Sequence, residues 1–164
     1  MEQKDCLDEA SLKKKLIFDE IHKDTDAGFE SNRERSQKDL QYETEFTYGE
    51  VIYTTFVPVL EYVKPKAGEV FWDLGCGGGK PLLIASLNWP QLAICKGVEF
   101  LEYLVDLATT VSCELTAKCE EAGLTNAPIS ITKGDMLKTD WFDADILYLS
   151  SVCFPDELLE GIVN

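Results

Sequence analysis

A glycine-rich segment near the middle of the chain constrains the fold more than any other feature. It reads Asp73-Leu74-Gly75-Cys76-Gly77-Gly78-Gly79, begins at the end of a mostly apolar stretch at residues 69–74 and precedes a second such stretch at residues 80–89 that stops at Pro90. Glycines between a strand and a helix let the backbone turn tightly and let a ligand approach the helix N-terminus closely. We therefore expect a strand, a turn and a helix here, with a ligand site where the strand ends.

The alternation of strand and helix continues toward the C-terminus. Apolar runs bounded by turn residues predict further strands and helices, the strands at residues 93–100, 129–133 and 145–150 and the helices at residues 101–122 and 155–163. Strands that alternate with helices in this way imply an α/β fold with a parallel, doubly wound sheet.

The N-terminal part is predicted to lie outside the sheet. Residues 11–23 carry apolar side chains at helical spacing, and residues 24–45 are so polar that they indicate either a flexible arm or a polar helix. Residues 51–63 are dense in large apolar side chains and predict a helix that covers the sheet. We divide the chain into an N-terminal helix and polar arm, residues 1–47, and the domain with the glycine-rich segment, residues 48–164.

Charge narrows the range of partners. The formal net charge is −15, so the surface repels phosphate backbones and anionic lipid, and a basic protein is the better partner. The run Lys13-Lys14-Lys15 lies beside Leu12 and Leu16 and is typical of the solvated side of an amphipathic helix. We therefore expect no direct binding of nucleic acid by this segment and no membrane association.

Residue usage indicates the compartment and argues against a metal centre. The six cysteines include no Cys-x-x-Cys pair, and the N-terminus has no apolar signal core. We expect an intracellular protein, in the cytoplasm or the nucleus. The single histidine, His22, excludes a multi-histidine metal site, and we expect no metal.

Acidic residues end three successive predicted strands. They are Asp73, Glu99 and Asp135, the last followed by Met136. A nicotinamide-cofactor fingerprint would need a third glycine at Lys80, whereas Asp73 can face the cationic amino and sulfonium end of S-adenosylmethionine. Glu99 can accept the ribose hydroxyls, and Asp135 can accept the adenine amino group while Met136 covers the ring. The turn at Gly75 and Gly77 completes the predicted cofactor site.

The order of motifs resembles the disruptor-of-telomeric-silencing family. Tyr48-Gly49-Glu50 precedes Asp73-Leu74-Gly75, and Gly97-Val98-Glu99 and Gly134-Asp135 follow at suitable intervals, so that the match spans residues 46–155. This resemblance implies a Rossmann-like class I methyltransferase fold and lysine methylation with S-adenosylmethionine. It also implies that Tyr48 and Glu50 close over the methionine end of the cofactor. The remaining cofactor shell would be Asp73, Gly75, Lys80, Glu99, Asp135 and Met136.

The sequence departs from that family after the fourth strand. The family pattern there is Asn-Asn-Phe-x-Phe, whereas this chain has Ser150-Ser151-Val152-Cys153-Phe154. Phe154 matches an aromatic residue of the family's lysine channel, and Ser150 takes the place of an asparagine near the transferred methyl group. We take Tyr48 and Ser150 as candidate catalytic residues and Phe154 as part of the substrate channel.

The class I methyltransferase sheet has seven strands, of which this chain supplies the first four. On this interpretation the sheet is truncated after strand four, whose open edge favours self-association. Either the chain is a fragment of a longer polypeptide, which we favour, or a partner completes the sheet.

Three functions remain open from the sequence. The first is a protein-lysine methyltransferase that acts on a basic protein such as a histone. The second is a noncatalytic S-adenosylmethionine-binding module within a complex, which the serines at positions 150 and 151 also fit. The third, nicotinamide-dependent oxidoreduction, ranks last.

Overall fold

Four parallel strands form the centre of the molecule in a computed structural model that describes residues 8–163. The sheet has the order β3-β2-β1-β4. Its strands are β1 (Val70–Leu74), β2 (Ile94–Glu99), β3 (Ile129–Lys133) and β4 (Ile146–Leu149). All three strand pairings are parallel, which confirms the predicted α/β sheet.

Six α-helices surround the sheet in the described residues. They are α1 (Glu9–Ile21), α2 (Ala27–Gln37), α3 (Tyr53–Val63), α4 (Lys80–Asn88), α5 (Glu102–Glu121) and α6 (Asp156–Val163). Asp8 is the N-cap of α1, and its carboxylate accepts a hydrogen bond from the backbone N–H of Ser11 at 2.7 Å. Residues 24–45 are expected from the sequence to be either a flexible arm or a polar helix, and they contain the polar helix α2. A short 3-10 turn, Thr44–Phe46, comes after it.

β1 is buried on both faces and sets the layers of the fold. Phe71 belongs to the larger core cluster, between the sheet and the helices α1, α3, α4 and α5. Trp72 and Leu74 point to the opposite face, where Trp141 and Ile162 of the C-terminal segment cover them. Side chains alternate between the faces of a strand, so burial on both faces explains why residues 70–72 are apolar without a polar residue in alternation.

The register brings the carboxyl ends of the strands together. Asp73 pairs with Gly97 of β2 on one side and with Tyr148 of β4 on the other. Glu99 pairs with Lys133 at the end of β3. In a parallel sheet these ends share one edge, and ligands bind outside it.

The N-terminal helices pack onto this core. Ile17, Phe18 and Ile21 of α1 are buried in the larger cluster, and the Phe18 and Tyr53 rings lie 5.1 Å apart. α2 contacts the N-terminal part of α5 through Glu34. The division of the chain at residue 47 stays a prediction.

β4 lies at an edge of the sheet. It pairs with β1 on one side, and Leu147 keeps 37% of its surface exposed.

Within residues 8–163, no helix combines the length and the apolar character needed to cross a membrane.

Candidate cofactor and substrate site

A cavity of about 310 Å³ opens at the carboxyl edge of the sheet. The glycine-rich turn forms its floor, and residues 45–51, which we call the strap, form one wall. The site residues predicted from the sequence all line this cavity: Tyr48, Glu50, Asp73, Gly75, Gly77, Lys80, Glu99, Asp135, Met136, Ser150 and Phe154. Ligand sites are concave pockets of about this size or larger, so the cavity is the candidate site.

The glycine-rich turn lies under the strap. The backbone N–H groups of Gly75 and Cys76 both donate to the Val98 carbonyl oxygen, at 2.9 and 3.0 Å, which ties the turn to β2. Gly77 has φ of +54°, and a Cβ atom there would lie 2.9 Å from Cε2 of Tyr48. A side chain at position 77 would therefore be strained and would push Tyr48 away.

Asp73 is a buried carboxylic acid without a full set of partners. Its side chain is 1% exposed, and its Oδ2 atom has no hydrogen-bond partner. Burial, and to a smaller extent the charge of Glu99, raises the pKa of Asp73 well above its usual value. A buried, unpartnered carboxylate is costly, and a cation in the cavity would relieve this cost.

The Glu99 carboxylate accepts hydrogen bonds both from the glycine-rich turn and from the turn that follows β2. Its Oε2 accepts from Gly77 N–H at 2.9 Å, and its Oε1 accepts from the N–H groups of Phe100 and Leu101, both at 2.8 Å. Burial raises the pKa of this carboxyl although the three amides favour its charged form. A carboxylate offers about four acceptor positions, so about one is left for a ligand hydroxyl.

Asp135 and Met136 lie on the side of the cavity next to β3. Asp135 Oδ1 accepts from Leu137 N–H at 2.9 Å, and its Oδ2 pairs with Lys138. The hydrogen bond from Lys138, followed by that from Leu137, lowers the pKa of Asp135. Met136 reaches the floor, where its Cε lies 3.4 Å from the position of a Cβ on Gly75.

Tyr48, Glu50 and Lys80 join the strap to the start of α4. Tyr48 donates to Glu50 Oε1 at 2.5 Å, and Lys80 forms an ion pair with Glu50 Oε2. Burial raises the pKa of Glu50, but the bonds from Lys80 and Tyr48 outweigh burial and leave it lower than usual. Burial and the bond to Glu50 raise the pKa of Tyr48, so its hydroxyl remains protonated and donates.

The end of β4 contributes a tyrosine to the lining of the cavity. Tyr148 lines it beside Ser150 and Phe154, and its place in the sequence is equally compatible with a packing residue. Its ring packs edge-on against Phe56, with ring centroids 4.8 Å apart. Burial, then the charge of Asp73, raises the pKa of Tyr148, whereas a hydrogen bond with Ser150 opposes the rise.

Two phenylalanines of the wall were not identified from the sequence. Phe46 in the strap and Phe100 after β2 both line the cavity, with ring centroids 5.1 Å apart. Phe100 directly follows Glu99 at the end of β2, and this position is enough to predict that it lies near the cavity. The sequence around Phe46 does not indicate its place in the cavity wall, because its contact depends on the path of the chain between α2 and α3.

Known proteins resemble this chain in sequence and in fold. The family model described as "Histone methylation protein DOT1" matches residues 31–161. A histone-lysine N-methyltransferase, H3 lysine-79 specific, of Chaetomium globosum is 28% identical over 74% of this chain and 24% of its own length. A protein of the same name from Aspergillus fumigatus is 26% identical over 82% of this chain and 27% of its own length.

The chain thus spans about a quarter of the length of these relatives. Among solved structures, magnesium protoporphyrin IX methyltransferase from Synechocystis, with bound SAM, superimposes with a TM-score of 0.50. The identity is 19%, over 92% of this chain and 68% of that one. This similarity concerns the fold alone, which is the Rossmann-like fold of methyltransferases.

Proposed function

The chain belongs to the histone methylation protein DOT1 family, and on that basis we propose that it binds S-adenosylmethionine and transfers a methyl group to a lysine side chain of a protein. The observation that carries the proposal is the buried Asp73 carboxylate, whose Oδ2 lacks a partner in a glycine-floored cavity. Such a site is suited to a ligand that combines a positive charge with an apolar ring system.

The residues of the cavity fit this cofactor. Asp73 would meet its cationic end, and Tyr48, Glu50 and Lys80 would close the strap over its methionine part. Gly75 and Gly77 carry no side chains, so that groups on the cavity side can approach the backbone of the turn closely, as Met136 and Tyr48 do. Glu99 would bind the ribose, and Asp135 and Met136 would hold the adenine.

Bound S-adenosylmethionine supplies the activated methyl group, and the chain supplies alignment and a dry channel. Phe154 and Met136 give the cavity apolar walls that exclude water. A substrate lysine must lose its proton, which corresponds to roughly 4.6 kcal/mol from a pKa of about 10.4 to neutral pH. Burial between these apolar side chains lowers the pKa of the lysine, and the hydroxyls of Ser150 and Tyr148 can orient its amino group.

We propose a histone as the protein substrate. The two fungal relatives are named for lysine 79 of histone H3, and the net charge of −15 on this chain favours a basic partner. We therefore also propose that the protein acts in the nucleus, where histones are found.

A calorimetric titration with S-adenosylhomocysteine tests cofactor binding. We expect Asp73→Asn to weaken binding by about tenfold or more, because the ligand loses a charged partner. Asp106→Asn, on the exposed side of α5, is the matched control and should bind like the unaltered protein. No binding by the unaltered protein, or equal binding by both variants, would refute the cofactor assignment, and NAD titrated in parallel tests the oxidoreductase alternative.

The second candidate is a noncatalytic cofactor-binding module, which Ser150 and Ser151 favour because the family has asparagines there. Labelled S-adenosylmethionine is incubated with histone H3 and the protein, or its Ser150→Asn variant. Label on histone lysine supports transfer, and a faster rate for Ser150→Asn would identify the serine as the cause of weak activity. Cofactor binding with no label from either protein supports the module.

A further inference from the structure

Helix α2 carries two charged residues that are buried, although the segment around it is polar. Glu34 and Arg35 are each 8% exposed. Charged side chains are rarely buried unless they are paired, so the contacts of these two residues need an explanation. Both contact backbone groups that lie within a few residues of the cavity lining, Glu34 after Phe100 and Arg35 before Phe46.

Glu34 caps α5 from outside that helix. Its Oε1 accepts from Glu102 N–H and its Oε2 from Tyr103 N–H, both at 2.9 Å. α5 needs this contact, because its N-cap residue is Leu101, which provides no side-chain hydrogen bond. A carboxylate at a helix N-terminus is also favoured by the helix dipole.

Two glutamates therefore hold four consecutive amides. Glu99 accepts from the N–H groups of Phe100 and Leu101, and Glu34 accepts from the next two. Burial raises the pKa of Glu34, but hydrogen bonds from Lys38, Tyr103 and Glu102 outweigh it and keep the pKa below its usual value. The carboxylate is thus charged at neutral pH, and the turn that carries Phe100 is fixed from both sides.

Arg35 fixes the segment that leads into the strap. Its guanidinium donates to the carbonyl oxygens of Glu43, at 3.0 Å, and Gln41, at 3.4 Å, just before the strap. The strap then places Phe46 against Phe100. One turn of α2 thus contacts the segments that carry both rings.

We infer that Glu34 and Arg35 are positioning residues that hold Phe46 and Phe100 as an aromatic wall for the base of a nucleoside ligand. This inference rests on the proposed cofactor. Aromatic rings bind a base by stacking, which depends on the position of the ring. Neither charged residue lines the cavity, so both act through the segments they hold.

The first test is the Glu34→Gln variant of the full chain. An amide has one acceptor oxygen, so one of the two N–H groups of α5 faces an NH₂ group and loses its partner. We expect affinity for S-adenosylhomocysteine to fall about tenfold, and the KM for S-adenosylmethionine to rise while kcat at saturation stays the same. Glu30→Gln is the matched control, because Glu30 lies on the same helix and pairs only with Arg33 in the described contacts.

A double-mutant cycle separates positioning from simple stabilisation. If Glu34 acts through Phe100, then Glu34→Gln costs much less affinity in a Phe100→Leu background than in the unaltered protein. Equal losses in both backgrounds, or full affinity in Glu34→Gln, would overturn the inference. Arg35→Lys, which keeps the charge but loses the planar fork, should show the same pattern with Phe46→Leu.

Two further measurements distinguish loss of the positioning role from misfolding of a variant and from failure of the proposed function. Thermal unfolding of each variant shows whether it folds, and affinities are compared only among folded variants. If the unaltered chain does not bind S-adenosylhomocysteine, the proposed function fails. If it binds while the cycle is additive, only the positioning role fails.

Discussion

Asp73 is the residue on which the charge balance of the cavity depends. It is fully buried beside Glu99, and its pKa is raised by burial first and by that neighbouring charge second. Glu99 has a raised pKa as well, but three backbone amides partner its carboxylate. Asp73 therefore has the greater need of a cationic ligand.

We predict that binding of the cationic cofactor becomes tighter as the pH rises through the raised pKa of Asp73. The ligand requires the ionised carboxylate, so below that pKa binding must displace a proton, at a cost of up to about tenfold in affinity per pH unit. Titrations from about pH 4 upward measure this slope, since the unperturbed Asp value is about 3.9 and the pKa of Asp73 lies above it. Asp73→Asn should remove it, and an unchanged slope in the variant would assign it to another group.

The raised pKa of Asp73 also affects the stability of the unbound protein, which falls as the pH rises, whereas the affinity for the ligand increases. Because the folded pKa of Asp73 lies above the unfolded one, its stabilising contribution is complete below the unfolded pKa and is lost as pH rises through the folded pKa. The free energy of unfolding of Asp73→Asn should therefore exceed that of the unaltered protein increasingly at higher pH. Denaturant unfolding at several pH values measures this difference.

At the level of elements, the close approach of β2 to α4 depends on Gly97. A Cβ at this position would lie 2.6 Å from Cδ1 of Leu82 and 2.8 Å from Sγ of Cys76. We predict that Gly97→Ala lowers the free energy of unfolding by about 1–3 kcal/mol, as overpacking of a core does. Gly49→Ala is the control, because nothing lies within 4 Å of a Cβ there, and it should change stability by less than about 0.5 kcal/mol. Urea unfolding of the two variants checks the difference, which should vanish if the core adapts.

The edge strand β4 leads to a prediction about association. Leu147 is 37% exposed on a strand that pairs on one side with β1, and a lysine there would disfavour pairing with another edge. If the protein self-associates through this edge, Leu147→Lys should lower its average mass in sedimentation experiments at high concentration. Leu16→Lys, on α1 and 59% exposed, should leave the mass unchanged. Equal effects of the two lysines would contradict a role for the edge.

The elements that the sequence predicted best are those with a purely local cause. β3 has the bounds predicted for it, and β1 begins one residue later than predicted, because apolar runs bounded by turn residues define both. For α2 the sequence leaves a flexible arm and a polar helix open, since its packing uses hydrogen bonds that Glu34 accepts from amides 68 and 69 residues away. Asp73, Glu99 and Asp135 could be placed because they end strands, whereas Phe46 and Tyr148 depend on tertiary contacts.

The molecule as a whole carries a net charge of −15. On the proposed function, we predict that the KM for a histone substrate rises as salt is added, because added ions screen the attraction between an acidic protein and a basic partner. Affinity for S-adenosylhomocysteine should change much less, since Asp73 is buried from the solvent ions. Steady-state assays at about 0.1 M and about 0.5 M salt compare the two, and an unchanged KM for the histone would show that the overall charge does not guide recognition.

The contact between Trp141 and Met136 gives the cavity a built-in optical reporter. The indole N–H of Trp141 donates to the Met136 carbonyl oxygen at 3.1 Å, and Met136 lines the cavity. A ligand that displaces this methionine changes the surroundings of the indole and hence the wavelength and intensity of its fluorescence emission. Occupancy can therefore be followed without a label, and Trp141→Phe identifies the part of the signal that this indole contributes.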